Sequence, residues 1–441
     1  MIGLDNELNK ISSKGVDGTS VTKLKGVIHY NGGSLTIHKL IKLQVDRNYN
    51  KNFCDYTTIE TYMPLGNFVK HIYPSRDNLE CSILQDRGGH KALDKYKCFV
   101  MNDNFSIENE MFKKASTEDL NVELAYVKFL LIERTAFMMN SIHVNLTVKD
   151  NNLENFITCI MRYDYDRIKI PGDRYKKGFS IIPPHNTKTY THILLPTPLK
   201  ILNLPSYLQR KEYGVYNGDC GTYIQTYDHH ISRTKYESHR ILWVYPLYNQ
   251  STEGRKKKKL KIYISKRKKD SEIERTYYID ASLSLRILAT IKDDITIPNL
   301  KVKKNHGNKD TYMEAESVMN RSHIVTKDSS YRYTSDVIDN VVQVPMEDGE
   351  NTMKYHGIIQ NKFHYKSDNM RLNGYFMTVV WKFSVPDYLF PGMLVDIYWE
   401  EQIDNSRVIR SAKGVLQASN TIVEANHEMS VTVLIVFISE N

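Results

Sequence analysis

The chain has 441 residues, of which 41% are hydrophobic and 25% charged; this is ordinary for a folded protein and excludes global disorder. That length gives room for two to four domains with real cores. The formal net charge is +9, but eleven basic and only three acidic residues fall between Arg255 and Thr276. The rest of the chain is therefore nearly neutral, which argues against a general nucleic-acid coat.

Cysteine usage and hydropathy indicate the compartment. The five cysteines are widely spread and include no Cys-x-x-Cys pair, so we expect neither a disulfide framework nor a structural zinc site. The N-terminus lacks the basic and apolar regions of a signal peptide. No apolar run approaches the roughly 18 to 20 residues that a membrane-spanning helix requires. We therefore expect a protein made in the cytoplasm and not inserted into a membrane.

The first part of the chain is predicted to be a polar N-terminal arm, residues 1–20, followed by a small antiparallel β domain. Asn31-Gly32-Gly33-Ser34 is a strong turn signal between two strand-like segments, which predicts a hairpin. Three further strand-like segments follow, at 55–65, 79–84 and 122–133. We interpret residues 21–140 as a first tube-like β-barrel.

The middle of the chain is predicted to mix helices and strands. Asn151 can cap a helix, with Glu154 reaching back in a capping-box arrangement. The residues that follow place one apolar face at helical spacing: Leu153, Phe156, Ile157, Ile160 and Met161. Six prolines between 171 and 205 keep the next elements short. We expect a mixed α/β domain over 141–275, carrying a basic loop at 255–269.

The remainder is predicted to form a second tube-like β-barrel from residues 276–304 and 353–441, interrupted by a polar insertion at 305–352. Pro391-Gly392 is a strand-connecting turn, because proline fixes φ and glycine accepts a positive φ. The predicted fold class is thus mainly β with an α/β middle domain: two tube-like antiparallel β-barrels plus an inserted α+β domain.

The last strand, near residues 430–438, is apolar on both of its faces. Only one face of a barrel strand meets the barrel core, so the other face should meet another domain or subunit. We therefore predict an assembly component, with these residues as candidates for the subunit interface: Val431, Val433, Ile435 and Phe437.

No local signature of catalysis stands out. His229 and His230 are adjacent and would point to opposite faces of a strand, so they do not form a metal site with His239. Asp164 and Asp166 lie beside arginines and indicate a surface charge cluster rather than a catalytic pair. Cys220 could suit a nucleophile in an exposed turn, but a small turn residue is the simpler interpretation. No phosphate-binding, hydrolase, zinc-protease or dinucleotide motif is present, so we expect no enzyme, no cofactor and no metal.

The basic element supports two interpretations. A lysine run usually serves as a solvated connection between elements. Alternatively it contacts a polyanion, either DNA phosphates or an acidic partner surface, and such a contact would depend strongly on salt. The candidates for this contact, or for a channel lining, are Lys256, Lys257, Lys258 and Lys259.

The C-terminal stretch resembles a known family. The segment from Val385 to Ile397, with its Pro391-Gly392 turn and following strand, is similar to central tail hub proteins of contractile phage baseplates and to the related type VI secretion spike hubs. Lys413-Gly414-Val415-Leu416 and the strand after Met429 resemble the closing hairpin of that family. The order of parts agrees over most of the chain, although the motif is specific only over about 380–438.

The resemblance implies a virion structural protein: a homotrimer whose two barrels per subunit form a pseudo-sixfold ring. That ring joins a tail tube protein to a tail spike protein and lets DNA pass through its lumen; the tape-measure protein and other baseplate proteins are further expected partners. Assembly would take place in the host cytoplasm. The alternatives are a nucleic-acid-binding module that uses 255–269, and a distal tail or secretion-system hub component.

Overall fold

The computed structural model describes residues 22–37, 39–87, 90–101, 124–195, 199–210, 213–230, 236–249, 258–264, 276–282, 284–296, 374–403, 406–424 and 430–439, together with short pieces elsewhere. The fold is mainly β, with a closed six-stranded barrel and few helices, which confirms the predicted fold class. No helix within these described ranges has the length and hydropathy to cross a membrane.

The first barrel contains seven strands, all antiparallel to their neighbours: β1 (Thr22–Tyr30), β2 (Gly33–Ile37), β3 (Lys39–Asn48), β4 (Tyr56–Pro64), β5 (Glu80–Arg87), β6 (His90–Val100) and β7 (Leu124–Glu133). They pair in the order β2-β1-β5-β6-β7-β4-β3. Because β2 and β3 are separated by one residue, a single stretch of chain pairs with both β1 and β4 and so closes the row. The predicted turn is present, and Gly32 has a φ of 101° there.

Short helical segments cover one end of this barrel between β4 and β5: Leu65–Asn67, Phe68–Ile72 and Tyr73–Asn78. Phe68 and Ile72 are buried and join the barrel core, which also contains Ile28, Ile59 and Phe129. The inward side chains of each strand alternate with outward ones, as the two-residue period of a strand requires.

The middle part combines helices with three small sheets. Its elements are α1 (Arg134–Ser141), β8 (His143–Val144), β9 (Thr147–Asn152), α2 (Leu153–Arg167), β10 (Lys176–Ile181), β11 (Thr189–Leu194), β12 (Leu199–Lys200), α3 (Leu204–Arg210), β13 (Cys220–His230) and β14 (Tyr236–Pro246). β14 pairs with β13 and, in parallel, with β10. The apolar face of α2 packs into a core with α1, α3 and the inner side of β13 and β14.

The predicted helix over this region is present, but its cap lies one residue later than expected. Asn152 is the N-cap, and its side-chain oxygen accepts a hydrogen bond from the backbone amide of Asn155 at 2.9 Å. Asn151 instead belongs to β9 and pairs with Tyr190. The β9–β11 pairing thus fixes where the helix begins, because it holds Asn151 in an extended conformation.

The remaining strands are β15 (Leu260–Ile264), β16 (Tyr277–Ile279), β17 (Leu285–Thr296), β18 (Asp310–Tyr312), β19 (Val325–Lys327), β20 (Val344–Pro345), β21 (Gly374–Lys382), β22 (Leu394–Ile403), β23 (Ser406–Glu424) and β24 (Ser430–Ser439). The second barrel closes in the order β23-β22-β15-β17-β21-β24, because β24 also pairs with β23. β18, β19 and β20 form a separate three-stranded sheet. The predicted turn before β22 is present, with Gly392 at a φ of 68°.

One strand of the second barrel departs from the prediction. β15 lies within the expected basic loop 255–269, yet it pairs in parallel with both β17 and β22. Leu260 and Ile262 are fully buried in the barrel core. The expected single loop is therefore divided by a barrel strand, because apolar residues alternate with Lys261 and are buried on pairing.

Part of the predicted N-terminal arm contacts the second barrel. Ile11 is 1% exposed and packs against Tyr263 and Tyr278, with Tyr398 and Ile409 beside them. This hydrophobic cluster lies on the outer side of β15, β17, β22 and β23. Most other residues of the arm lie outside the described part of the chain.

Candidate assembly surface

The two barrels are joined by backbone hydrogen bonds between β3 and β23. Seven residue pairs, from Ala418↔Asn48 to Glu424↔Lys42, connect them in antiparallel register. On its other edge the same part of β23 pairs with β24. Six strands, β7-β4-β3-β23-β24-β21, therefore form one continuous sheet that crosses from the first barrel to the second. We call its side away from the barrel cores the shared face.

The centre of the shared face is polar. Glu60 lies between two lysines, with Oε1 at 4.0 Å from Lys42 Nζ and 3.5 Å from Lys128 Nζ. Asp46 accepts a hydrogen bond from Asn52 at 3.2 Å. The other members of this polar centre, all partly exposed on β3, β4 and β23, are Gln44, Thr58 and Asn420. Charged and amide groups of this kind remain favourably hydrated on an open surface.

One side of the shared face carries exposed apolar residues, which we call the first margin: Tyr62, Leu124 and Tyr126. Leu124 is 64% exposed, and the rings of Tyr62 and Tyr126 pack edge to face with centroids 5.7 Å apart. Partial burial and a hydrogen bond to Glu60 raise the pKa of Tyr126 to about 12. Exposed residues of this size, grouped together, are typical of a contact surface.

The opposite side of the shared face is also apolar, and we call it the second margin: Val380, Ile422, Val431, Val433 and Ile435. These residues lie next to one another, because Val433 pairs with Val380 on β21 and Val431 pairs with Ile422 on β23. All are partly exposed. The shared face is thus apolar, polar and apolar from one side to the other.

The structure places the four predicted interface residues in two environments. Val431, Val433 and Ile435 alternate with buried Thr432, Leu434 and Val436, so they point away from the core. Phe437 is fully buried, because Tyr248 and Phe376 cover it at centroid distances of 4.8 and 5.4 Å. Phe437 is therefore part of the core of its own chain, and we remove it from the interface candidates.

The basic candidates are only partly described. Lys256 and Lys257 lie outside the described residues. Lys258 and Lys259 are partly exposed just before β15, and Lys259 Nζ is 3.6 Å from Asp396. Lys261, on the same strand, approaches Asp280 at 3.9 Å. Two lysines of the basic element are thus paired with carboxylates, Asp396 on β22 and Asp280 just after β16.

A buried polar cluster supports the joint between the barrels. Arg47, at 5% exposure, donates to Asp55 at 3.0 Å and to the carbonyl oxygen of Pro386 in the second barrel at 2.7 Å. Tyr223 of the middle part also donates to Asp55, at 2.7 Å. Burial would lower the pKa of Arg47, but the nearby Asp55 raises it above its usual value. The guanidinium therefore stays charged and links all three parts of the chain.

A second buried cluster links the first barrel to the middle part. Arg240, at 2% exposure, bonds Glu133 at 2.8 Å and Asp173 through both of its terminal nitrogens. Glu133 ends β7 and also caps α1 through the backbone amide of Ala136. Burial would raise the pKa of Asp173, but the hydrogen bond and charge of Arg240 bring it below its usual value. In both clusters a buried arginine is paired with at least one carboxylate.

The described residues that were candidates for catalysis or metal binding lie in separate environments. Cys220 is 3% exposed, and burial raises the pKa of its thiol well above the usual value, so it does not lie in an exposed turn. Asp166 pairs with Arg162 at 3.5 Å on the exposed side of α2, as predicted for a surface cluster. The side chains of His229 and His230 lie outside the described residues. Among the residues that are described, no cluster of His, Cys, Asp and Glu could hold a metal ion.

The alternation of residues in β7 already indicates the first margin. In β7, Leu124, Tyr126 and Leu130 alternate with buried Ala125, Val127, Phe129 and Leu131, so both faces are rich in apolar residues. This is the same pattern that marked β24 as an interface candidate.

No protein-family model and no curated protein matches this sequence. Among solved structures, a tail protein from Neisseria meningitidis MC58 is 9% identical with a TM-score of 0.47, covering 94% of this chain and 96% of that one. The 43 kDa tail protein of prophage MuSo2 from Shewanella oneidensis is 10% identical with a TM-score of 0.43 and the same coverage.

A third similar structure is the E. coli c3393 protein, a type VI secretion component with structural similarity to the T4 tail proteins gp27 and gp5. It is 6% identical with a TM-score of 0.41, covering 94% of this chain and 77% of that one. The structural neighbours of this chain are therefore phage tail proteins and type VI secretion proteins, the same kinds of protein that its C-terminal stretch resembles.

Proposed function

We propose that this protein is a structural, non-enzymatic component of a phage tail: the central hub of a baseplate, built from three copies. The observation that carries the proposal is the shared face, which runs unbroken through both barrels and has a polar centre between two apolar margins. A chain that acts alone gains nothing from two exposed apolar margins, whereas a ring buries both when neighbouring copies meet.

The resemblance of the C-terminal stretch to tail hubs extends this proposal to its partners. The ring would bind a tail tube protein on one side and a tail spike protein on the other, with the tape-measure protein and other baseplate proteins nearby. DNA would pass through the ring during ejection. The mature protein would then reside in the virion tail, after assembly in the host cytoplasm.

The proposal is tested first by mass. Native mass spectrometry of the purified full chain should give a species of three times 51.4 kDa. Repeating the measurement over a hundredfold range of concentration separates a specific trimer from chance association. A monomer at every concentration, with a folded circular dichroism spectrum, contradicts the proposed hub.

The alternative of a nucleic-acid-binding module is less well supported. Lys259 is engaged by Asp396, and Lys261 approaches Asp280, so part of the charge of the basic element is neutralised within the chain. Replacing Lys256, Lys257, Lys258 and Lys259 with glutamine tests this alternative. Loss of DNA binding in a protein that still assembles favours the module, whereas unchanged binding excludes this lysine run as the contact.

A further inference from the structure

We infer that the first margin of one copy packs against the second margin of the next copy, in a head-to-tail contact that repeats around the ring. This inference rests on the proposed function, because it names the surfaces through which the proposed copies meet. The proposed trimer does not by itself specify the surfaces through which its copies meet.

The chemistry of the two margins fits such a contact. Tyr62 and Tyr126 provide broad aromatic surfaces, and the second margin provides β-branched side chains such as Val431 and Val433. Aromatic and β-branched residues pack well on one another across sheets. Neither margin has a charged residue at its centre. Glu60 and Lys128, beside the first margin, are paired with each other at 3.5 Å, and Lys382 lies opposite Val431 at one end of the second margin.

The two margins differ in composition and belong to different barrels. A contact between unlike surfaces of identical chains is heterologous, and it forms a closed ring when the rotation between copies divides a full turn. Pairing of like margins would instead give a two-fold contact. That arrangement would place two exposed tyrosine pairs together and leave both second margins uncovered, so the unlike pairing covers more apolar surface.

The positions of the margins also suit a ring. Tyr126 pairs with Tyr62, which pairs with Lys39, while Val431 and Val433 align through β23 with Gln44 and Asp46. The margins are thus five to seven residues apart along β3, or roughly 17–23 Å, and four strands apart across the sheet, or roughly 19 Å. Because the two separations are nearly equal, a strand tilt of roughly 45° to the ring axis would bring the margins to the same height.

Most of the backbone at the two margins is already paired. β24 pairs with β21 and β23 along the second margin, and at the first margin Tyr126 pairs with Tyr62, while the described pairing of β7 with β6 runs from Phe129 to Glu133. The next copy therefore cannot add a strand at the second margin, and the contact there has to be made by side chains. A single charge introduced at a margin should consequently break the contact without breaking a hydrogen-bond ladder.

The test uses two full-length variants, Tyr126→Asp and Val433→Asp, with Gln44→Glu in the polar centre as the matched control. Native mass spectrometry should show three chains for the wild type and for Gln44→Glu, but one chain for each margin variant. Circular dichroism and the melting temperature establish that each variant is folded.

Mixing the two margin variants is the decisive step. Each retains one intact margin, and the two intact margins are unlike, so an equimolar mixture should form a species of two chains that neither variant forms alone. Two-chain species from each variant alone, with none added by mixing, would show like margins pairing and overturn the inference.

A cross-linking experiment covers the case in which an aspartate prevents folding. Tyr126→Cys and Val433→Cys are combined in a chain that carries Cys159→Ser, since the other four cysteines are buried. Mild oxidation should link three chains, whereas either cysteine substitution alone should give none. Three-chain assembly that persists in both aspartate variants, with no cross-link, would refute this contact but leave the hub intact; a monomeric wild type would instead refute the hub itself.

Discussion

Two nearly inaccessible arginines organise the contacts between the parts of this chain. Arg47 and Arg240 each bind carboxylates, and each has a partner more than sixty residues away in sequence. A buried charge costs several kcal/mol to desolvate unless its partners are well placed. The strands that carry these residues could be predicted from their alternating pattern, but the pairing of Arg240 with Glu133 and Asp173 could not, because no local spacing links them.

We expect Arg240→Gln to lower the free energy of unfolding by about 3–5 kcal/mol, since it leaves Glu133 and Asp173 buried without their cation. Urea denaturation followed by circular dichroism measures the change. Lys176→Gln is the control: that side chain is 65% exposed and pairs with Glu237 on the surface, so its loss should cost about 1 kcal/mol at most.

The stabilities of wild type and Arg240→Gln should differ less at low pH. The pKa of Asp173 is lowered in the folded state, so its stabilising contribution is complete above the unfolded pKa of roughly 3.9 and is lost as the pH falls through the lower folded value. The stability gap between wild type and Arg240→Gln should therefore narrow below about pH 4. An unchanged gap at low pH would contradict the assignment of Asp173 as a partner of Arg240.

At the scale of single elements, the sequence predicts strands and turns better than it predicts their ends. The Pro391-Gly392 turn and the apolar face of α2 are present as expected. The helix cap is Asn152 rather than the predicted Asn151, because Asn151 belongs to β9 and pairs with Tyr190, 39 residues away. β15 was not predicted, because it lies in a lysine-rich segment, its apolar alternation covers only five residues, and its partner strands are distant in sequence.

Gly414 shows how closely two of these elements approach. A Cβ atom at this position would lie 2.5 Å from the carbonyl oxygen of Phe437 and 2.6 Å from Val436 Cγ1. We expect Gly414→Ala to lower the free energy of unfolding by about 1–3 kcal/mol, because β23 and β24 must move apart.

The matched control for Gly414→Ala is Gly178→Ala in β10, where the nearest atom is Ile241 Cγ1 at an ordinary 3.4 Å. Its effect on stability should be clearly the smaller of the two. Urea denaturation of both variants makes the comparison, and equal losses would mean that β23 and β24 are not packed as closely as described.

At the scale of the whole molecule, the barrels are not independent units. β23 has 19 residues, and it contributes to the second barrel and to the joint with β3. The sequence predicted two barrels, but it held no sign that one strand would connect them, because the paired residues of β3 and β23 are at least 370 positions apart. The division of the face into margins and centre likewise depends on that pairing.

We expect the whole chain to unfold in one transition. The three tryptophans, Trp243, Trp381 and Trp399, all lie outside the first barrel, so their fluorescence reports only on the rest of the molecule. Far-ultraviolet circular dichroism reports on every strand. Thermal or urea curves from the two probes should coincide, as two-state unfolding requires. A separate circular dichroism transition without a fluorescence change would mean that the first barrel unfolds by itself.

The long strand β23 has a mechanical consequence. Hydrogen bonds in an antiparallel pair lie across the strand direction. A pull along the strands, drawing one barrel past the other, loads all seven residue pairs between β3 and β23 together rather than one after another. The joint between the barrels therefore resists sliding far better than peeling. The two barrels of each subunit would move together when a tail transmits force through it.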